Sequence, residues 1–255
     1  MAGHGIFDNN PPRRHLDPRR PCTHPFRLRC DAAGRTGSYG PASLYPYPDG
    51  LHLATKVGAE RDEQDGWPTA REPEQLRRAV GENLETLGLD TLDLVYFRAG
   101  DAQGTVPGPV AAALETLAEL QQEGLIRHLG VSNVLPEQVA EARSVASIVA
   151  VQNMYNLAFR RDDALIDSLA RDGIAYVPFS PLGGFSPLQS AALSAVAARL
   201  GTTPMSVALA WLLQRSPNIL LIPGTSSAAH LRENISGASL ELSAGDLTEL
   251  DSIGG

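Results

Sequence analysis

The sequence predicts an α/β fold of repeating strand–helix units, and three observations carry that expectation. From about residue 49 onward, short apolar runs alternate with amphipathic helical stretches in strict order. The runs IVAVQ and ILLI are almost wholly apolar, which suits parallel strands buried on both faces. The chain has 255 residues, the usual size of one (β/α)8 barrel. Such alternation builds either a barrel or a doubly wound open sheet. No G-x-G-x-x-G follows an early strand, so the nucleotide-binding open sheet loses support and a TIM-type (β/α)8 barrel is favoured.

Each element has its own signal. Residues 51–57 (LHLATKV) read as the first clear strand. The helix over 72–87 follows from Leu76, Val80, Leu84 and Leu87 on one stripe. A strand is predicted over 92–97. The helix over 109–122 opens on a proline and turns Val110, Leu114, Leu117 and Leu120 inward. Strands over 126–131, 148–152 and 174–179 alternate with helices over 136–144 and 162–171. Helices over 188–200 and 204–215 come next, the second extra to the repeat. A strand over 219–222 and helices over 228–237 and 244–253 complete the chain. That makes six βα units.

Residues 1–48 break the rhythm. Proline at the density of PPRRHLDPRRP opposes helix and central strand alike. The two βα units needed to reach eight belong there but have no readable pattern, so the N-terminal units are expected to be degenerate or missing. The expected organisation is a single barrel domain over 1–255, with an atypical segment over 1–48 and a readable barrel over 49–255.

Composition excludes several classes. An apolar fraction of 43% is enough for a buried core, and a net charge of −8 argues against a nucleic-acid or anionic-membrane surface. No apolar run approaches the roughly 20 residues that span a bilayer. The start, MAGHGIFDNNPPRR, has no apolar signal core. Cys22 and Cys30 do not make a disulfide framework, and His4, His15 and His24 lack metal-site spacing. A cytoplasmic protein without a metal is expected.

Lys56 is the only lysine in a chain that otherwise uses arginine. Arginine stays protonated, whereas lysine shifts its pKa readily, so Lys56 is marked for chemistry. Working residues of such barrels stand at the C-terminal ends of strands. Lys56, Arg98, Ser132 with Asn133, Gln152, Ser180, and Gly224 with Thr225 all end predicted strands and therefore fall on one rim. Ser132 and Asn133 could equally cap the helix after them. His52 is expected between helices, His128 inside a strand as a structural residue, and Trp67 either as a pocket wall or as a loop anchor.

From Tyr45 to the C-terminus the chain resembles the aldo-keto reductases. RHLGVSN, VQNMYNL, PFSPLGGF and LIPGTSS followed by HLRENI occur in the family's order, closest to a bacterial branch with Arg in place of the catalytic His. The resemblance implies an NADP(H)-dependent oxidoreductase that reduces small aldehydes or ketones by hydride transfer. It makes Lys56 the lysine that lowers the pKa of a tyrosine acid, and Arg98 the group on the carbonyl oxygen. Ser132, Asn133 and Gln152 would hold the nicotinamide carboxamide, which needs donors and acceptors together. Phe179 would stack on the ring, or simply pack in the core. Ser180, Leu182 and Gly183 would wrap the pyrophosphate. Pro223, Gly224, Thr225, His230, Glu233 and Asn234 would form the adenosine-phosphate site, at a helix N-terminus suited to phosphate. The common Lys, Ser and Arg are replaced there by Gly224, Thr225 and His230, which removes fixed charge; Arg232 is a partial substitute. NADP is still preferred over NAD.

The family's D-x-x-x-x-Y is not intact. Asp31 and Tyr39 are the nearest candidates for the catalytic Asp and Tyr, at the wrong spacing. Impaired activity is therefore expected. The rival reading is a non-catalytic or remnant barrel that binds a nucleotide or a partner.

Overall fold

The computed structural model describes residues 45–60, 66–101, 104–183 and 189–254. Its strands are β1 (Ala54–Ala59), β2 (Thr69–Ala70), β3 (Leu92–Arg98), β4 (Ile126–Ser132), β5 (Ile148–Gln152) and β6 (Ala175–Tyr176). Helix α1 (Pro73–Leu87) joins β2 to β3, α2 (Ala111–Gln122) joins β3 to β4, α3 (Pro136–Val145) joins β4 to β5, and α4 (Asp163–Arg171) joins β5 to β6. Helices α5 (Ala191–Arg199), α6 (Pro204–Arg215), α7 (Ala228–Gly237) and α8 (Ala244–Asp251) follow. The sheet order is β2-β1-β3-β4-β5-β6, with every neighbouring pair parallel except β1 and β2. Helices between consecutive parallel neighbours are the (β/α)8 construction.

The helices form where capping and apolar spacing agree. Pro73 opens α1, and Gln75 Oε1 accepts from the Glu72 N–H at 3.1 Å. Leu76, Val80 and Leu87 are buried on the predicted stripe, with Leu84 packed partly against the core. Val110, Leu114, Leu117 and Leu120 are all buried under α2. The N-terminal amides of α2 are met from the next helix: Val110 and Ala111 both donate to Glu141 Oε1, at 3.1 and 3.0 Å. One continuous core lies between the outer sheet face and the helices, built on Val57, Val95, Phe97, Leu129, Val131 and Val151.

The inner sheet face carries a separate, smaller cluster of Tyr96, Ala150 and Val177. Tyr96 lies flat over Gly130 of the neighbouring strand: a Cβ at 130 would stand 2.7 Å from two ring carbons. Glycine at 130 is what lets a tyrosine lie across the sheet at this level.

Three strands differ from expectation. The first begins at Ala54 rather than at 51. The strand expected over 174–179 has only two residues, followed by an isolated bridge from Phe179 to Met154. Pro178 has no N–H to give the ladder, which breaks it. The strand expected over 219–222 is one parallel bridge from Ile219 to Tyr176. Leu220 and Ile222 are 58% and 46% exposed, and no described strand pairs beyond them. The two-residue β2 is too short to leave a pattern in sequence.

Candidate active site

Parallel register builds the site. Lys56 stands opposite Tyr96, Arg98 opposite Ser132, and Ser132 opposite Gln152. Residues in register share a face, and so do residues two apart on one strand. Lys56, Tyr96, Arg98, Ser132 and Gln152 therefore all project from the inner face. Arg98, Ser132 and Gln152 form one row across the ends of β3, β4 and β5, and Lys56 stands one step lower on β1. Arg98, Ser132 and Gln152 end their strands as expected, whereas Lys56 lies within β1, which runs on to Ala59.

Lys56 is half-buried with its Nζ 5.3 Å from the centre of the Tyr96 ring, a cation–π contact. Burial, and then the positive charge of Arg98, lower its pKa from 10.5 to about 8. The Tyr96 hydroxyl moves the other way, pushed up to about 12 by burial. Lys56 thus meets Tyr96 through the ring, and that phenol is a weaker acid than free tyrosine. The candidates for the catalytic Asp and Tyr, Asp31 and Tyr39, lie outside the described residues.

Arg98 is tied to the loop that follows it. Its Nη2 donates to the Asp101 carbonyl at 2.7 Å, and Asn133 Nδ2 donates to the same oxygen at 2.8 Å. Arg71 Nη2 donates to the Gly100 carbonyl at 3.1 Å. Gly100 admits no side chain, since a Cβ there would sit 1.8 Å from the Gly104 carbonyl oxygen. Two guanidiniums thus grip one short loop, and each feels the charge of Asp101. Arg71 was not legible in sequence. It follows the two-residue β2 in an irregular stretch and belongs to no motif.

Gln152 is buried, and its Oε1 finds no hydrogen-bond partner among the described residues. A buried amide oxygen without a donor costs about 1–3 kcal/mol. A carboxamide N–H from a nicotinamide would supply that donor, so this position fits the cofactor. Asn133 is buried with φ 54°, its N–H donating to the Gln152 carbonyl at 3.1 Å. Asparagine tolerates this left-handed conformation better than most residues. Its Nδ2 serves the Asp101 loop.

Phe179 and Ser180 are half-buried at the end of the β6 segment. Ser180 also has φ 54°, and its carbonyl accepts from Asn156 Nδ2 and from the Gly183 N–H, both at 3.0 Å. Strained non-glycine backbone of this kind cost about 1–3 kcal/mol and clusters at ligand-binding turns. Leu182 packs partly against the main core. Pro223 is half-buried, while Gly224, Thr225 and His230 are exposed. Ser227 caps α7 by accepting from the His230 N–H at 3.3 Å. Glu233 accepts from the Thr203 hydroxyl, and Asn234 is half-buried.

The remaining candidates have ordinary surroundings. His52 and His128 are exposed, and Trp67 is half-buried. Among the described residues no group of His, Cys, Asp or Glu is placed to hold a metal, and no single helix is long and apolar enough to cross a membrane.

The comparisons agree with this geometry. The model of the Aldo/keto reductase family matches residues 44–254. Pyridoxine 4-dehydrogenase of Escherichia coli K12 is 54% identical, over 99% of this chain and 91% of its own length. An uncharacterized oxidoreductase of Schizosaccharomyces pombe is 35% identical, over 85% of this chain and 72% of its own. Among solved structures, the thermostable aldo-keto reductase Tm1743 superposes with a TM-score of 0.71 at 29% identity, covering 84% of this chain and 76% of that one. A glycerol dehydrogenase from Gluconobacter oxydans also gives a TM-score of 0.71, at 22% identity, over 84% of this chain and 75% of its own, which supports the fold alone. A family model that spans the described residues from 45 on, and a relative identical at 54% of aligned positions, decide the matter: this chain belongs to the aldo/keto reductase family and is an oxidoreductase on a (β/α)8 barrel scaffold.

Proposed function

We propose that the chain reduces small aldehydes or ketones with NADP(H). The observation that carries this reading is the inward row of Arg98, Ser132 and Gln152 above Lys56, with an unpartnered buried acceptor at Gln152. The bound cofactor supplies the hydride. Ser132 and Gln152 orient its carboxamide, with Asn133 shaping the backbone between them. Phe179 would lie against the ring, and Ser180, Leu182 and Gly183 would hold the pyrophosphate. Pro223, Gly224, Thr225, His230, Glu233 and Asn234 hold the adenosine phosphate, with Arg232 adding charge.

Arg98 donates to the substrate oxygen, and Lys56 adds a second positive charge beside it. Fixed charge placed where an alkoxide develops is the strongest lever such a site has. In this reading the proton comes from Tyr39, whose pKa Lys56 lowers, and Asp31 is the lysine's acidic partner. Because the spacing of that pair departs from the family's, the rate is held below that of a complete site. The 54% relative makes vitamin B6 aldehydes the first substrates to try.

The test is calorimetric titration of the folded chain with NADPH and NADH, followed by NADPH-dependent reduction of pyridoxal and simple aldehydes. We expect NADPH to bind more tightly. Gln152→Leu should weaken it about tenfold, the worth of one well-placed hydrogen bond. No binding at millimolar cofactor would overturn the assignment.

A further inference from the structure

Asn153 follows Gln152 at the end of β5 and is fully buried. Its side chain meets the main chain of Val134 twice: Oδ1 accepts from the Val134 N–H at 3.0 Å, and Nδ2 donates to the Val134 carbonyl at 2.8 Å. Nδ2 also donates to Asp162 Oδ2 at 2.7 Å, and the same oxygen accepts from the Tyr176 hydroxyl at 2.9 Å. Asp162 and Tyr176 are buried too. Only one orientation of the amide satisfies this set. Turned over, it would set donor against donor at the Val134 N–H, and its oxygen against a carbonyl and a carboxylate. The Asp162 carboxylate, itself held from β6 by Tyr176, therefore fixes which way Asn153 faces. The main chain of Asn153 adds a third tie, its carbonyl accepting from the Phe179 N–H at 2.9 Å.

Val134 comes one residue after Asn133, whose φ of 54° persists only where the surroundings enforce it. The Gln152 carbonyl holds the Asn133 N–H, and the two Asn153 bonds pin Val134 on the other side of the same turn. One residue thus ties together the exits of β4, β5 and the β6 segment, where Ser132, Gln152 and Phe179 stand. We infer that Asn153, oriented by Asp162, is the positioning residue of the nicotinamide cradle. This rests on the reading that Ser132, Gln152 and Phe179 face the nicotinamide. Asn153 touches no ligand, because it is fully buried and its amide is engaged within the chain. It acts by setting the spacing of Ser132 against Gln152. A carboxamide must meet both at once, so a shift of one strand exit against the other weakens the fit. None of these bonds reaches α7, so the adenosine end of the cofactor should not feel the change.

The experiment compares two ligands across variants of the full chain. NADPH carries the nicotinamide, whereas adenosine 2′,5′-bisphosphate carries the adenosine and its 2′-phosphate without it. Calorimetry gives both dissociation constants, and melting is followed on the same samples. We expect Asn153→Leu to weaken NADPH about tenfold and to leave the bisphosphate within about twofold. Asp162→Leu should act in the same way. Asp162→Asn keeps an acceptor for Asn153 and Tyr176, so it should bring NADPH binding back to within about threefold of the parent. If Asn153→Leu does not fold, Tyr176→Phe decides: it releases Asp162 on one side only and should weaken NADPH about threefold with the bisphosphate unchanged. Leu117→Ala, a cavity in the core under α2, should lower melting and move neither constant. Equal weakening of both ligands makes Asn153 merely structural and overturns the inference. A native chain that binds NADPH, with Asn153→Leu binding it equally well, sinks this inference alone. A native chain that binds neither ligand sinks the cofactor reading and this inference with it.

Discussion

At the scale of the residue, the pKa of Lys56 carries two predictions. The folded value, about 8, is below the ordinary 10.5. Between those values the unfolded chain binds more protons than the folded one, so stability rises with pH across that window. Under the proposed function carbonyl reduction relies on the ammonium and should instead fall as pH rises through about 8. A pH profile of kcat/KM checks the second, and melting between pH 7.5 and 10 checks the first. Lys56→Met should abolish most turnover while melting no lower than the parent at pH 7, because it removes a buried charge. A sharp drop in melting with activity per folded molecule unchanged would make Lys56 structural.

At the scale of the element, two close approaches fix the site. The Tyr96 ring lies on β4 only because position 130 has no side chain. Gly130→Ala should overpack the inner face by about 1–3 kcal/mol and lower melting by about 2–4 °C per kcal/mol for a chain of this size. It should also shift the Lys56 pKa, since the ring beside it must move; the pH profile of kcat/KM reads that shift. The second approach is the loop after β3, held by Arg98, Asn133 and Arg71 together. Arg71 touches that loop rather than the row of site residues. Arg71→Ala should therefore raise KM for the carbonyl and lower kcat by freeing Arg98, at a stability cost of only about 1 kcal/mol for one hydrogen bond. Arg71→Lys should restore part of it. A stability loss without a kinetic one would reduce Arg71 to a structural tie.

At the scale of the whole molecule, the described sheet has two ends that a barrel joins. Leu220 and Ile222 are exposed beside β6, and Leu231 and Ile235 are exposed on α7. Open strand edges and bare apolar side chains favour association. The missing D-x-x-x-x-Y belongs to the same N-terminal portion. Replacing residues 8–44 with a segment that carries D-x-x-x-x-Y at the family spacing should raise carbonyl reduction at least roughly 100-fold, the typical worth of a positioned general acid. Melting should rise too, and light scattering should show less association. If the native chain already matches the graft, then its own first 44 residues supply a working acid.

The sequence by itself determined the order of most elements and the row at three strand ends. Apolar period and strand-end position depend only on local spacing, so the stripes of α1 and α2 and the row Arg98, Ser132, Gln152 could be read directly. It also singled out Lys56, because composition alone marks a sole lysine. Tertiary structure decided what those residues do to one another. That Tyr96 covers Lys56 follows from parallel register between β1 and β3, which no local pattern states. That Arg71 helps hold the Arg98 loop follows from a two-residue antiparallel strand too short to leave a period. That the 219–222 segment is a single bridge follows from which neighbours pair with it, and strand pairing depends on the partner as much as on the strand itself.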